Sequence, residues 1–280
     1  MKKILLGAIA LLAIIITACS STPAGIALAA NGTLLRKIQD HGRLVAGVRF
    51  DVPTFGRLNA DTRQVDGFEA AIAREIAAYI FGDPNKIDFK EALTATRQDE
   101  LKKGTFDIIL STVIITEDRL KDIDFSMPYY RSGMRLLVTN NSAIKSTADL
   151  NDKKVGTSKG GVFVAWLKAN TKATVVEYDT PALSAQDLLK GNIDAIGNND
   201  ALLFGLQVGN PGTKVVGVHA TTDYFGVGVA KNNPELLNVV NTVIKDLKTS
   251  GKWKTIWKTE VGDKIGVAIA PEPPGDDWKK

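Results

Sequence analysis

Helix and strand patterns alternate along this chain, and the alternation runs through twice. Leu44 to Phe50 reads as a mixed apolar strand. Gly67 to Ile80 places Phe68, Ile72, Ile76, Ala77 and Ile80 at helical spacing. Ile87 to Phe89 is a short strand, Thr96 to Lys103 a helix stopped by Gly104, and Phe106 to Leu110 a buried strand. The second pass has strands at Leu136–Thr139, Lys154–Thr157, Ala173–Tyr178 and Ile193–Ile196. Between them lie helical patterns at Val162–Lys168 and Ala182–Lys190, the latter stopped by Gly191. Such alternation predicts α/β layers built on a largely parallel sheet.

The two passes share a joint. Leu101 to Ile109 and Leu188 to Ile196 both run from a helix end through Lys-Gly, one polar residue, an apolar residue and Asp into a strand. Tyr224 to Ala230 adds a strand pattern, and Pro234–Lys248 and Lys252–Glu260 add helices. They have no third lobe to join, so they complete the first. The expected fold class is therefore α/β with two lobes. Residues 33–128 plus 227–270 form the first lobe and 134–221 the second, with hinge crossings at 129–133 and 222–226. Two crossings leave a cleft where strand ends meet, the usual place for a ligand, and act as hinges for its closure. Tyr129 and Tyr130 are read as hinge packing. Trp253, Ile256 and Trp257 share one face of the last helix and are read as core. Residues 271–280, rich in Pro and charge, are read as a loosely held tail.

The first 18 residues differ from the rest. Met1-Lys2-Lys3 is a positive start, and Ile4 to Ala18 is almost wholly apolar, the length of a signal h-region and short for a membrane span. The sole Cys follows directly, at Cys19. Ile16 to Cys19 resembles the lipobox of bacterial lipoproteins, which implies cleavage before Cys19, its lipidation and a membrane-anchored, extracytoplasmic protein. A plain secretory peptide is the other reading, since Ala27-Leu28-Ala29 offers a second cleavage site. Residues 19–32, small and polar, are read as a flexible tether.

Composition closes off several classes. At 44% apolar and 24% charged residues, the chain is neither disordered nor a polytopic membrane protein. Removing Lys2 and Lys3 takes 35 basic residues to 33 against 31 acidic, a net charge of +2 in place of +4. So slight a balance implies no nucleic-acid partner. Two His and one Cys are too few for a zinc cluster, and no intrachain disulfide can form.

Several stretches carry a more specific signal. Gly47 to Gly56, Asp66 to Glu69, Ile115 to Arg119, Ile123 to Ser126, Pro128 to Tyr130 and Ser250 to Trp253 occur in order. Together they resemble the amino-acid-binding lipoproteins of ABC importers, family 3 of the bacterial extracellular solute-binding proteins, in its glutamate/glutamine-type branch. The resemblance spans about Leu44 to Lys258. It departs at Ala70 and Ala71, where the family has a hydrophobic residue and a second acid. It implies the two-lobed periplasmic-binding-protein fold, type II-like, acting as a receptor that closes on a small solute and presents it to a permease. It implies no cofactor, no metal, no reaction and a monomer. Two other functions remain open: a ligand sensor serving a membrane receptor, and a dehydratase or lyase on the same fold, for which Asp200 and Glu69 would be the only candidate acids.

Arg119 is the leading site residue. Thr116 is a plausible N-cap with Glu117 and Asp118 behind it, so Arg119 sets a cation in the first helical turn, against the helix dipole. An anion held by its guanidinium would resolve that conflict; a surface ion pair with Glu117 or Asp124 is the alternative. The resemblance gives Arg119 the ligand α-carboxylate, and has Ser111, Thr112 and Ile114 line the same site. Ile114 stands where the family has Thr or Asn, and can offer only its amide. Gly160 and Gly161 open a helix and would let backbone N–H groups approach an anion, or would make an ordinary turn. Asn199 stands where the family carries the Asp that pairs with the ligand ammonium. Asp200 is left either to take over that role or to cap the next helix. Phe55 is implied to stack on the ligand, or else covers the lobe core. Arg57 and Arg97 are candidates for a second, side-chain carboxylate of an acidic ligand.

Overall fold

The computed structural model describes residues 25–275. The leader, Cys19, the start of the tether and the end of the tail lie outside the described residues.

Two five-stranded sheets organise the chain. The first runs Ile87–Glu91, Leu44–Val48, Ile108–Leu110, Gly228–Ala230, Ile123–Phe125. The second runs Thr174–Tyr178, Lys154–Ser158, Ala195–Asn199, Met134–Thr139, Thr213–Val216. In each, four strands run the same way and one, Gly228–Ala230 or Met134–Thr139, runs opposite, which makes two pairings parallel and two antiparallel. The expectation of largely parallel sheets holds for only half of the pairings. The antiparallel members are the strands beside each crossing, which enter a sheet without a helical crossover and so are free to run the other way. The expected strand Tyr224–Ala230 is split accordingly. Asp223–Phe225 pairs with Tyr130–Ser132 in a ribbon joining the two sheets, and Gly228–Ala230 enters the first sheet.

The repeated joint does the same work in both lobes. Gly104 and Gly191 both end a helix at φ +76°, in the left-handed region. The carboxylate of Asp107 then accepts the amide of Val45 at 2.7 Å, and that of Asp194 accepts the amide of Lys154 at 2.8 Å. Each Asp so ties the start of its own strand to the start of its parallel neighbour.

An aromatic cluster lies at the root of the ribbon. Phe55, Phe68, Tyr129, Tyr130, Phe225 and Trp253 are buried, with edge-to-face contacts such as Phe55–Tyr130 at 5.1 Å and Phe68–Trp253 at 5.3 Å between centroids. Trp253 Nε1 donates to the carbonyl of Tyr129 at 2.7 Å. The last helix is thereby fastened to the point where the chain leaves the first lobe. Trp257 is buried as well.

The lobes meet face to face. The helix Asp200–Gly209 of the second lobe lies on Val52 and Pro53 of the first, and a Cβ at Gly205 would stand 2.7 Å from Val52 Cγ1. Only glycine allows that approach without displacing the loop. Thr54 Oγ1 also reaches the carbonyl of Ala201 at 3.4 Å.

Two expectations need correction. Residues 25–32 are not free tether. Gly25 packs against the backbone of Ile80 and Phe81, and Gln39 holds both the amide of Ala29 (2.8 Å) and the carbonyl of Ala27 (3.0 Å). The small residues that suggested flexibility are those that fit closely against a helix end. Residues 271–275 are not loose either: Lys248 Nζ bonds the carbonyl of Pro274 at 2.8 Å, and Lys254 pairs with Glu272.

Replacing Trp253 with Ala is expected to lower the unfolding free energy by about 3–5 kcal/mol, because a large buried side chain and an indole hydrogen bond disappear together. Urea denaturation of both proteins checks this. A loss below about 1 kcal/mol would show that the cluster does not hold the last helix in place.

Candidate ligand-binding cleft

The first wall is built on a tight turn. Strand Ile108–Leu110 ends at Ser111, and Thr112 follows at φ +50°, an uncommon value for a β-branched residue. Three bonds hold the turn. The amide of Thr112 donates to Glu69 Oε1 at 2.7 Å, Thr112 Oγ1 donates to the carbonyl of Ser111 at 2.8 Å, and Ser111 Oγ donates to the carbonyl of Ala92 at 2.7 Å. Glu69 is fully buried and also takes the hydroxyl of Tyr129 on Oε1, while its Oε2 has no partner among the described residues. Burial pushes the Glu69 carboxyl up to about 7, against the pull of those two bonds and of Arg97 and Arg49.

Beyond the turn, the chain delivers Arg119. Thr116 Oγ1 accepts the Arg119 amide at 3.2 Å across the turn that leads into the short helix Arg119–Asp122, whose N-cap position is taken by Asp118 and not by the expected Thr116. Arg119 is 8% exposed, and its guanidinium donates to the carbonyl of Ile114 at 2.8 Å. It forms no ion pair among the described residues, so neither Glu117 nor Asp124 claims it. Arg97, 3% exposed, donates to the carbonyl of Ser111, and its Nε has no partner. Burial lowers the pKa of both guanidinia. For Arg97 the positive charges of Arg119 and Arg49 add to the lowering, and Glu69 offsets part of it. Arg49 is committed elsewhere, gripping Asp51 through two bonds of 2.8 and 2.6 Å and reaching Thr94 Oγ1 at 3.1 Å.

The second wall comes from two helix starts. Gly161 is the N-cap of the helix Val162–Asn170, after Ser158 at the end of its strand. Asn199 is the N-cap of Asp200–Gly209, its Oδ1 accepting the amide of Leu202 at 2.8 Å. Asn198 Oδ1 accepts the amide of Asn199 at 2.9 Å, and Asn198 Nδ2 donates to Ser158 Oγ at 3.0 Å.

Between the walls lies a small, narrow cavity of about 20 Å³. Thr94, Arg97, Thr112, Ile114 and Arg119 line it from the first lobe, and Ser158, Gly161, Asn198, Asn199 and Leu202 from the second. Val162 and Phe163 add apolar cover. Six of the residues singled out in the sequence thus converge here: Arg97, Thr112, Ile114, Arg119, Gly161 and Asn199.

Others do not. Phe55 is wholly buried among Phe68, Tyr130 and Phe225, so it supports the lobe core and stacks on no cleft group. Arg57 lies in the small sheet Asp51–Val52, Gly56–Leu58, Val65–Asp66 and pairs with Asp66 at 2.7 Å, half exposed and off the cleft. Asp200 is turned to the crossing: Oδ1 takes Ser132 Oγ at 2.5 Å and Oδ2 meets His219 Nε2 at 2.7 Å. It neither lines the cleft nor caps the helix, because Asn199 has that place. Ser111 supports from behind, through its carbonyl to Arg97. Gly160, at φ +69°, faces Ala95 across the lobe contact. Thr94, Asn198, Leu202 and Phe163 were not foreseen; Asn198 is the one with a visible signal, lying in the same Asn-Asn-Asp run as Asn199.

Residues 44–262 match the model of the bacterial extracellular solute-binding proteins, family 3. The chain belongs to this family. It is 34% identical over 226 residues to the ABC transporter glutamine-binding protein GlnH of Bacillus subtilis, covering 80% of this chain and 83% of that one. A glutamine-binding protein of Geobacillus stearothermophilus is 37% identical over 199 residues, covering 70% and 76%. Among solved structures, the solute receptor for L-cysteine of Neisseria gonorrhoeae superposes with a TM-score of 0.80 at 26% identity, covering 86% of this chain and 99% of that one. The protein is a solute-binding component of the amino-acid ABC-transporter kind, and its family is extracytoplasmic.

The raised pKa of Glu69 has a pH signature. Between about 4.5 and 7 the folded protein keeps a proton that the unfolded chain has released, so stability falls as pH rises through that window. Glu69→Gln cannot titrate. Wild-type stability relative to this variant is expected to drop by roughly 3 kcal/mol between pH 5 and pH 8, at about 1.4 kcal/mol per pKa unit. Urea midpoints at both pH values measure the difference; a constant gap would mean that Glu69 stays ionised throughout.

Proposed function

We propose that the cleft binds an acidic, glutamate-like amino acid and delivers it to the transmembrane subunits of an ABC importer. The observation that carries this reading is the buried guanidinium of Arg119, which lines the cleft and forms no ion pair among the described residues. A ligand α-carboxylate would supply one through two parallel hydrogen bonds. Arg97, also buried and with Nε unbonded, favours a second carboxylate on the same solute. Closure of the lobes removes water, and the low dielectric strengthens each charge pair. The crossings at 129–133 and 222–226 act as the hinge, with 33–128 plus 227–270 and 134–221 as the moving bodies. The protein works as a monomer and performs no chemistry.

We also propose that Cys19 carries the lipid. Because Gly25 already packs on the first lobe, only residues 20–24 separate the anchor from the folded body. Five residues reach at most about 18 Å. The receptor is then held close to the membrane that houses its permease.

Two measurements test this. Arg119→Ala is expected to weaken L-glutamate binding at least about thirtyfold, the range for stripping one partner from a buried charge pair, while the ligand-free melting point moves little. Isothermal titration calorimetry reads the first and thermal unfolding the second; affinity retained within tenfold would refute the anchor. Cys19→Ser is expected to move the protein from the membrane to the soluble fraction of fractionated cells. Unchanged membrane association would count against lipidation.

A further inference from the structure

The polar groups lining the cleft are dominated by donors. Arg97 and Arg119 supply guanidinia from the first lobe, with no acid pairing with them among the described residues. From the second lobe the helices Val162–Asn170 and Asp200–Gly209 both begin at the cleft, which adds the positive ends of two helix dipoles. The side-chain acceptors of this wall each already hold at least one donor of the protein and carry no charge. Asn199 Oδ1 holds the Leu202 amide, Asn198 Oδ1 holds the amide and Nδ2 of Asn199, and Ser158 Oγ holds Asn198 Nδ2.

No Asp or Glu is among the lining residues. Most acids of the adjoining segments are held by other groups: Asp51 by Arg49, Asp200 by Ser132 and His219, Glu69 by Thr112 and Tyr129, and Asp223 by Thr221. Asp118, beside Arg119, is exposed and paired with Lys121, and it attracts Arg119 without bonding to it. Glu69 keeps one partnerless oxygen, but it is fully buried and does not line the cleft. An ammonium group needs acceptors, and leaving it desolvated without them is costly. A carboxylate in this cleft meets the opposite situation.

The geometry points to a cleft that reads two acidic groups and does not read an α-ammonium, so that nitrogen-free dicarboxylates of glutamate's length bind on a par with the acidic amino acid. Asn199 sets this selectivity. Asp and Asn cap a helix about equally well, so a carboxylate at 199 could keep the Leu202 bond while adding the missing negative charge. The amide keeps the cap and leaves the wall uncharged. This inference rests on the proposed reading of the cleft as the solute site with Arg119 as its anchor.

The test is calorimetric titration of the detergent-solubilised full chain at one pH with L-glutamate, 2-oxoglutarate and glutarate, repeated on Asn199→Asp. In the wild type at least one nitrogen-free acid is expected within tenfold of L-glutamate, or tighter. In Asn199→Asp the ratio is expected to move at least tenfold toward L-glutamate. L-glutamate more than tenfold tighter than both other acids in the wild type would overturn the inference, as would a shift below tenfold in the variant. Failure of the underlying reading looks different. None of the three acids would then bind, or their binding would persist unchanged in Arg119→Ala, and the inference would fall with it.

Discussion

Holding two guanidinium groups in a closed crevice is the constraint around which this molecule is arranged. Removing a charged group from water costs several kcal/mol even after the protein relaxes. Arg119 recovers part of that through the carbonyl of Ile114, and Arg97 through that of Ser111. Neither bond neutralises charge, and the two cations raise each other's cost. A closed cleft with no anion is therefore strained electrostatically, while an anion between the guanidinia turns the same closure into a favourable step. Such a solute has the differential affinity for the closed state that a population shift requires. Binding and closure are in this sense one event, and the affinity of the cleft comes from desolvated charge more than from area.

In the proposed closure that event reaches the strands crossing between the lobes, and Glu69 lies on the route. Its carboxylate joins three elements: the helix Phe68–Phe81 on which it sits, the turn at Thr112 that lines the cleft, and Tyr129 where the chain leaves the first lobe. The left-handed conformation of Thr112 is tolerated because that carboxylate and two hydroxyl bonds over-determine it. Tyr129 in turn receives Trp253 on its carbonyl. Cleft wall, hinge root and last helix are thus fixed relative to one another by direct hydrogen bonds. In the closure proposed above, the first lobe would move as one body, with bending left to the ribbon of Tyr130–Ser132 with Asp223–Phe225.

Much of this was legible in the sequence because it is local. The twin joints at Gly104 and Gly191 announce themselves by pattern, and their Asp107 and Asp194 do identical work. Arg119 could be picked out because a cation in a first helical turn is electrostatically odd without an anion. Positions decided by tertiary contact could not be read in the same way. Nothing near Arg57 in sequence says that Asp66 will face it across a hairpin, nor that Phe55 will turn inward to Tyr130 and Phe225. The small residues at 25–32 look like linker by composition, yet the same smallness lets Gly25 lie on Ile80 and Phe81. Composition reports what a segment can do, and the neighbouring surface decides what it does.

The neighbours Asn199 and Asp200 show how that division shapes the site. One peptide bond apart at the head of one helix, they point to different tasks. Asn199 faces the cleft and caps the helix, and Asp200 turns back to bind Ser132 on one crossing strand and His219 on the approach to the other. The acid that could have met a ligand cation is spent on tying the helix to Ser132 and His219, and it cannot be withdrawn without breaking both bonds. The cleft position beside it holds an amide that caps equally well but carries no charge. The positive character of the crevice therefore follows from which of two adjacent side chains faces the crossing strands and which faces the cleft.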